Sequence, residues 1–338
     1  MLTVLNELPE GLLELDATRL HEKLSGPTLI HLEGKQKRPV FVSVLLHGNE
    51  DTGWEAIRSL LAKYSGNPLP RCLSIFIGNV DAARHKQRFL DGQPDYNRIW
   101  QSSENIPEHI MMQKILAEMK AHDVFLGIDI HNNTGMNPHY ACVNHLEPGF
   151  LQLATLFSRT VVYFTKPAGV QAMAFAELCP AVTVECGQAG QSSGTEHSME
   201  FVEACLHLSQ LPEKQVAPHD IDLYHTVAIV KVPHETSFSF SEQMADLRFP
   251  EDIEHYNFRE LPVNTPLAQV HEKATATLDV WDENGANISE QFLKIEDGYI
   301  CTTRPVVPSM LTTNTRIVRQ DCLCYLMERY PFDRVIKN

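Results

Sequence analysis

The stretch VFVSVLLHGNE at residues 40–50 joins an apolar run to a polar loop. The run is rich in β-branched residues and predicts a buried strand, and residues 51–64 have the spacing of an amphipathic helix. Open α/β sheets bind their ligands at the carboxyl ends of strands. His47 and Glu50 lie in this loop and could converge on one point, as two ligands of a Zn²⁺ ion would.

His-x-x-Glu alone is a weak signal. With 16 histidines and 43 acidic residues in the chain, the pattern is expected by chance about once. A second copy occurs at His197 and Glu200 inside a helical pattern, and we interpret it as one face of a surface helix. The alternative for His47 is a polar residue that caps a loop. Other motifs in the chain are therefore needed to distinguish this alternative from a metal ligand.

Composition restricts the class of protein. A chain of 338 residues with 43% apolar content can form one large domain or two. No apolar window approaches the roughly 18 residues of a membrane span and no export signal is visible, so we expect a cytoplasmic protein without a membrane partner. The eight cysteines form no Cys-x-x-Cys pair and are expected to be buried thiols. The net charge of −15 argues against nucleic acid as a partner, and an anionic substrate would need a local cluster of arginines.

A polar segment at residues 80–100 follows the next predicted strand, at residues 71–77. The segment has little apolar periodicity, and long irregular loops in compact domains are usually functional or disordered. Arg88 and the Asp-Tyr-Asn-Arg sequence that ends at Arg98 offer guanidinium groups that could hold a carboxylate bidentately. The alternative is a solvated surface loop.

A second histidine closes another apolar run. Residues 124–130 predict a strand that leads directly into His131. A lone histidine at a strand end is more often structural than a ligand, but two histidines at the same edge of a parallel sheet with a nearby glutamate indicate a metal site. Asp129 points to the same side of its strand as His131 and could orient a ligand.

A late apolar run, at residues 181–184, leads directly into Glu185. A carboxylate at the end of a buried strand is costly unless it meets a metal, a cation or a bound water. We interpret Glu185 as a general base, and the alternative is a glutamate paired with a neighbouring arginine.

Residues 190–194, GQSSG, fit the Gly-x-Ser-x-Gly pattern of serine hydrolases. A nucleophile elbow requires the serine on the tight turn that leaves its strand. Several residues separate Ser192 from the predicted strand end at Cys186, so we favour a non-catalytic Ser192.

Four motifs in this order carry a resemblance: His-Gly-Asn-Glu, Asp-Tyr-Asn-Arg, Asp-Ile-His-Asn and Val-Glu-Cys-Gly. Over about residues 40–210 the chain resembles the succinylglutamate desuccinylase/aspartoacylase family of zinc-dependent acylases, relatives of the zinc carboxypeptidases. The resemblance implies one Zn²⁺ per chain with three ligands: His47, Glu50 and His131.

The resemblance also implies roles for four further residues. Glu185 would be the general base and Arg88 would polarise the scissile carbonyl, while Asn97 and Arg98 would bind the substrate carboxylate. One departure is Tyr96, where the family usually has leucine, and this change by itself should not disturb the chemistry.

The chain changes character after a proline-containing linker at residues 212–218. Residues 226–232, 278–281 and 316–319 are short β-rich runs. We therefore predict a catalytic domain over residues 1–211 and a smaller β-rich domain over residues 220–338. In the family such a domain shapes or shields the site entrance; the alternative is a role in stability or in assembly of a homo-oligomer.

The predicted fold class is α/β, with a parallel or mixed sheet flanked by helices on both faces and a smaller β-rich C-terminal domain. The predicted function is zinc-dependent hydrolysis of the amide bond in a small anionic N-acyl amino acid. The rivals are a carboxypeptidase-like or ester-cleaving zinc hydrolase, a serine hydrolase using Ser192, and a non-catalytic binding protein that keeps the fold.

Overall fold

The computed structural model describes residues 1–101, 105–272 and 275–332. A large mixed sheet is formed by strands from both halves of the chain, and a five-stranded sheet lies in the C-terminal part. The strands are β1 (Thr3–Leu5), β2 (Thr28–Leu32), β3 (Gly34–Val44), β4 (Leu69–Ile77), β5 (Leu126–Asn133), β6 (Tyr140–Val143), β7 (Thr160–Tyr163), β8 (Ala181–Gln188), β9 (Asp222–Lys231), β10 (Phe238–Ser239), β11 (Leu247–Arg248), β12 (Pro266–Val270), β13 (Asp279–Trp281), β14 (Leu293–Glu296), β15 (Tyr299–Thr302), β16 (Val307–Ser309) and β17 (Cys324–Arg329).

Helices connect and cover these strands. They are α1 (Thr52–Lys63), α2 (Val80–Arg84), α3 (Pro107–Ala121), α4 (Pro148–Phe157), α5 (Gln171–Ala176), α6 (Ser192–His207), α7 (Ser289–Phe292) and α8 (Thr315–Gln320). Short 3-10 helices lie at Leu12–Glu14, Ala17–Glu22 and Ile253–Tyr256. No helix in the described part of the chain is long and apolar enough to cross a membrane.

The large sheet has the order β1-β2-β4-β3-β5-β8-β6-β7-β9-β17-β16, with β13 paired to β9. Its central strands β4, β3, β5 and β8 are parallel, so their carboxyl ends lie at one edge. The crossovers between them contain helices, as parallel pairing requires. The predicted class, a mixed α/β sheet flanked by helices with a β-rich C-terminal part, is confirmed.

The apolar run at the end of β3 is continuous because both faces of this strand are buried. Val40, Val42 and Val44 pack in a core that includes residues of α1, α4 and α6. Phe41 faces the opposite side and packs with residues of α3 and α5. Both faces of the strand are therefore buried, as is typical of a parallel strand between two helical layers.

The strands of the C-terminal part are divided between the two sheets. β9, β13, β16 and β17 extend the large sheet, whereas β10, β11, β12, β14 and β15 form the five-stranded sheet. The parallel pairing of β9 with β7 joins residues on either side of the predicted linker. The boundary between residues 211 and 220 thus stays a prediction.

One expectation for a strand was wrong. Residues 316–319, predicted as β-rich, lie in α8, where the Asn314 side chain accepts hydrogen bonds from the first helical amides and caps the helix. The segment at residues 80–100 is solvated only in its middle: it begins with α2, residues 84–86 and 91–92 are exposed, and Tyr96 and Trp100 are buried in the core with α3 and α5. All eight cysteines are free of disulfides; seven are buried and Cys72 is partly exposed.

Candidate active site

The carboxyl edge of the parallel strands places the predicted residues together. His47 and Glu50 follow β3, His131 lies in β5 and Glu185 lies in β8. In the pairing of β5 with β8, His131 and Glu185 are direct register partners. All four residues line one pocket, as the arrangement of strand ends predicted.

Glu50 lies between the two histidines. Its Oε1 is 2.8 Å from Nδ1 of His47 and its Oε2 is 2.6 Å from Nδ1 of His131. Each of the three buried residues offers one ligand atom, and these atoms lie within 4.8 Å of one another. Two imidazoles and one carboxylate are a donor set that catalytic zinc sites use, and a single ion binds at about 2 Å from each ligand. The three residues therefore fit a metal ion.

The electrostatics of this group follow from its burial. Burial alone would raise the pKa of Glu50, but the imidazoles of His47 and His131 lower it far below its usual range. Burial would lower the pKa of His131, yet the carboxylates of Asp129 and Glu50 raise it well above the ordinary value. The group is thus a compact buried cluster of opposite charges.

Each histidine contacts a second carboxylate through its other ring nitrogen. Nε2 of His47 is 3.0 Å from Asp95 Oδ1, and Nε2 of His131 is 2.8 Å from Asp129 Oδ2. The Ser43 hydroxyl donates to Asp129 at 2.7 Å and fixes that carboxylate. Such partners fix the orientation and tautomer of a metal-binding imidazole. The contact of Asp129 with His131 matches the prediction from strand alternation.

Gly48 allows the loop that carries His47 and Glu50 to approach its neighbour. A Cβ at this position would lie 2.2 Å from the backbone nitrogen of Ala83. The amide of Gly48 also donates to the carbonyl of Arg88 at 3.1 Å. Only glycine fits here without a shift of the backbone, so this residue couples the loop after β3 to the segment that contains Arg88.

Arg88 is buried beside the histidines and Glu50. Its Nη2 donates to Asp95 at 2.9 Å, and its Nη1 lies 3.9 Å from Oε1 of Glu50. The guanidinium group therefore faces the same pocket as the three candidate ligands. This position is compatible with its predicted role beside a scissile carbonyl.

Asn97 is held firmly inside the site. Its Nδ2 is 2.9 Å from Nε2 of His131 and 3.2 Å from Asp129, while its Oδ1 accepts from the amide of Gln171 at 2.8 Å. These contacts tie the segment before α3 to the start of α5. Binding of a substrate carboxylate by Asn97 stays a prediction.

Arg98 lines the pocket and meets an acid from the C-terminal part of the chain. Its Nη2 is 3.4 Å from Oδ2 of Asp321, which follows α8. Although burial alone would raise the pKa of Asp321, the guanidinium groups of Arg88 and Arg98 lower it overall. The C-terminal part thus contributes a charged side chain to the site.

Glu185 is buried between neighbouring strands. Burial raises the pKa of Glu185 to about 7, and the ring of His131 opposes this rise. The Asn133 side chain donates a hydrogen bond to the carboxylate. Tyr140, the register partner of Glu185 on β6, has a buried hydroxyl without a hydrogen-bond partner in the described residues.

The competing motifs lie elsewhere. Ser192 is the first residue of α6 and is exposed, so it is not at the tight turn of an elbow. His197 contacts the carbonyl of Phe157 at 2.7 Å, and Glu200 is exposed. A second group with ligand-like spacing, His31, Glu118 and His122, is more open, with the Glu118 and His122 side chains 43% and 44% exposed.

Two acids of the site, Asp95 and Asp321, have no role that residue type predicts. The signal for Asp95 was its place beside Asn97 and Arg98 in the loop. Asp321 carries no local signal, because its partner Arg98 is 223 residues away in the sequence.

The fold and the site together define a class of α/β proteins with a buried His-Glu-His group at the carboxyl edge of a parallel sheet. Similar solved structures include succinylglutamate desuccinylase from Chromobacterium violaceum (16% identity, 88% of this chain and 86% of that chain covered, TM-score 0.56). Murine aminoacylase 3 is also similar (13% identity, 88% and 97% covered, TM-score 0.57). So is the product-bound ectoine utilization protein EutE (DoeB) from Ruegeria pomeroyi (12% identity, 90% and 84% covered, TM-score 0.51). At these identities the likeness shows the fold.

The family follows from the sequence itself. The family model "Succinylglutamate desuccinylase/Aspartoacylase catalytic domain" matches residues 36–208, so the chain belongs to this family. No curated protein matches the sequence. The matched range contains His47, Glu50, His131, Glu185 and both arginines, whereas Asp321 lies outside it.

Proposed function

We propose that the protein is a zinc-dependent deacylase that hydrolyses the amide bond of an N-acyl amino acid. The observation that carries this proposal is the carboxylate of Glu50 between Nδ1 of His47 and Nδ1 of His131, at 2.8 and 2.6 Å. Membership of the succinylglutamate desuccinylase/aspartoacylase family supports the reaction class. The site would hold one Zn²⁺ per chain.

The chemistry divides between the ion and the chain. A Zn²⁺ ion held by three protein ligands acts as a Lewis acid and lowers the pKa of a water in its open position. Glu185 accepts a proton from the attacking water and returns it to the leaving amine. A pKa of about 7, raised by burial, suits a group that must both take and give a proton near neutral pH.

In this proposal the two arginines contact the substrate. Arg88, buried next to Glu50, donates to the oxygen on which negative charge develops as water attacks. Arg98 lines the same pocket and binds the substrate carboxylate through its planar guanidinium group. Asn97 donates from its side-chain amide to Asp129, the carboxylate that orients His131, and can contact the substrate from the pocket wall.

The alternative functions require different residues or break a different bond. A carboxypeptidase-like or ester-cleaving hydrolase would use the same ligands and base, and differs in the bond that is broken. A serine hydrolase would need Ser192 next to a base, but this residue lies exposed at the start of α6. A binding protein without turnover would not require a general base at the position of Glu185.

The test is a panel of N-acyl amino acids, peptides and esters, with amine or alcohol release measured. We expect amine release from N-acyl amino acids, loss of activity with a chelator and recovery with Zn²⁺. The serine variant Ser192→Ala should keep its activity. Hydrolysis of peptides or esters alone, or activity that resists chelation and disappears with Ser192, would contradict the proposal.

A further inference from the structure

Asp321 occupies the gap between the two arginines of the site. Its Oδ2 lies 3.5 Å from Nη2 of Arg88 and 3.4 Å from Nη2 of Arg98. The Asp321 side chain is 21% exposed and lines the pocket. A carboxylate of the protein itself therefore lies between the two guanidinium groups and faces the pocket that they line.

Carboxylates of the protein already neutralise the positive charge of Arg88 and Arg98. Arg88 also donates to Asp95 through Nε and Nη2, at 3.2 and 2.9 Å. Arg98 donates through Nη1 to the carbonyl of Asn97 at 2.9 Å and through Nη2 to Asp321, and its Nε donates no hydrogen bond to the described residues. Two guanidinium groups thus face three carboxylates, those of Asp95, Glu50 and Asp321. A doubly charged substrate would meet Asp321 at close range, and like charges at such a site repel each other and disfavour binding.

A single carboxylate can still be accommodated. Besides Arg98, the pocket is lined by Lys166, an exposed residue that makes no ion pair in the part of the chain that the structure describes. Arg98 and Lys166 are thus the cations of the pocket lining to which one α-carboxylate could bind. A second carboxylate on the substrate has no unmatched cation left among the described lining residues.

Another part of the pocket wall is apolar. Strands β6 and β7, the segment between β7 and α5, and the C-terminal part supply side chains that offer neither charge nor strong hydrogen bonds: Cys142, Val162, Phe164, Val170, Met310 and Ile317. Phe164 and Met310 also pack against a hydrophobic cluster that contains Cys142 and Val162. Pockets of this composition gain affinity by burying apolar groups.

We infer that Asp321 is a specificity-determining residue that makes the site select N-acyl amino acids with one carboxylate and an apolar group over N-acylated dicarboxylic amino acids. The inference rests on the proposed deacylase function. Asp321 acts by repelling a second anion from Arg88 and Arg98, a form of selection against the wrong substrate.

The experiment compares N-acetyl-leucine, N-acetyl-asparagine and N-acetyl-aspartate, which are similar in size and differ in polarity and charge. For the zinc-loaded wild type we expect kcat/KM to be about tenfold to a hundredfold higher for the leucine than for the aspartate compound. In Asp321→Asn, the ratio of aspartate to asparagine compound should rise about tenfold. The control Asp123→Asn, an exposed acid paired with Arg38 at 2.9 Å, should leave all ratios unchanged.

The outcomes separate the inference from the proposed function. Equal or preferred hydrolysis of the aspartate compound by the wild type would overturn the inference and leave the deacylase function intact. If no compound is hydrolysed, the function fails, and calorimetric binding of the same compounds to zinc-loaded Glu185→Gln protein still measures the charge preference. Thermal unfolding shows whether Asp321→Asn is folded, and the wild-type ratio tests the inference without any variant.

Discussion

Oε2 of Glu50 lies 2.6 Å from Nδ1 of His131, although 81 residues separate the two in the sequence. The same carboxylate contacts His47 at 2.8 Å through its other oxygen. Glu50 therefore joins the ends of β3 and β5 and supplies the negative charge that both imidazoles face. Removal of this charge should affect metal binding more than folding, because it removes one donor of a set of three.

Glu50→Gln should lose bound zinc. We expect about one Zn²⁺ per chain in wild-type protein purified without chelators, and close to none in the variant, because an amide is a poor substitute for a carboxylate ligand. Elemental analysis of the purified proteins measures this. The matched control is His122→Ala in the exposed His31, Glu118 and His122 group, and it should keep its zinc. Zinc lost in the control and retained in Glu50→Gln would place the ion at the other group.

Asp129→Asn should weaken zinc binding without abolishing it. The Asp129 carboxylate lies 2.8 Å from Nε2 of His131, and asparagine can keep the hydrogen bond from Ser43 but not the charge. Loss of such an outer partner typically costs about 10–100-fold in metal affinity. Competition with a chromophoric chelator gives the affinity. An unchanged value would contradict the role of Asp129 in orienting the ring.

The local sequence pattern predicted the positions of the site residues that lie at or near the carboxyl ends of strands. Residues 40–46, 124–130 and 181–184 are apolar runs, and each is followed directly by a polar residue that the parallel register places at one edge. Local pattern predicts such positions because strand direction and side-chain alternation are local properties. The roles of Arg88, Asn97 and Arg98 came from the family resemblance, since no periodicity orders their segment.

Long-range contacts escaped prediction for a physical reason. The pairing of Asp321 with Arg98 joins α8 to the loop before α3, and no local pattern specifies which distant elements meet. The error over residues 316–319 is of another kind. A four-residue run with isoleucine and valine suits a strand or a buried helix, and the capping asparagine at position 314 was the signal that favoured the helix.

Glu185→Gln should abolish activity and stabilise the metal-free protein at high pH. Burial raises the folded-state pKa of Glu185 to about 7 from an ordinary 4.5, so the folded state binds this proton more tightly than the unfolded state. The stability of the wild type therefore falls as pH rises from about 4.5 to 7, and glutamine removes this loss. We expect the variant to exceed the wild type by about 1–3 kcal/mol at pH 8 and by little at pH 4.5. Urea unfolding in chelator at both pH values measures the difference, and equal stability at pH 8 would contradict the burial argument.

Arg98→Lys should impair catalysis without affecting zinc content. The guanidinium group contacts Asp321 through Nη2 and the carbonyl of Asn97 through Nη1, and the residue lines the pocket. Lysine keeps the charge but cannot reproduce the planar fork that holds a carboxylate bidentately. We expect kcat/KM to fall by about tenfold to a thousandfold, in line with roughly 1.4–4 kcal/mol for a charged hydrogen-bonded contact. The control Arg38→Lys changes an exposed arginine paired with Asp123 and should leave the kinetics unchanged. Wild-type kinetics in Arg98→Lys would show that the carboxylate binds elsewhere on the pocket wall, with Lys166 the next cation to test.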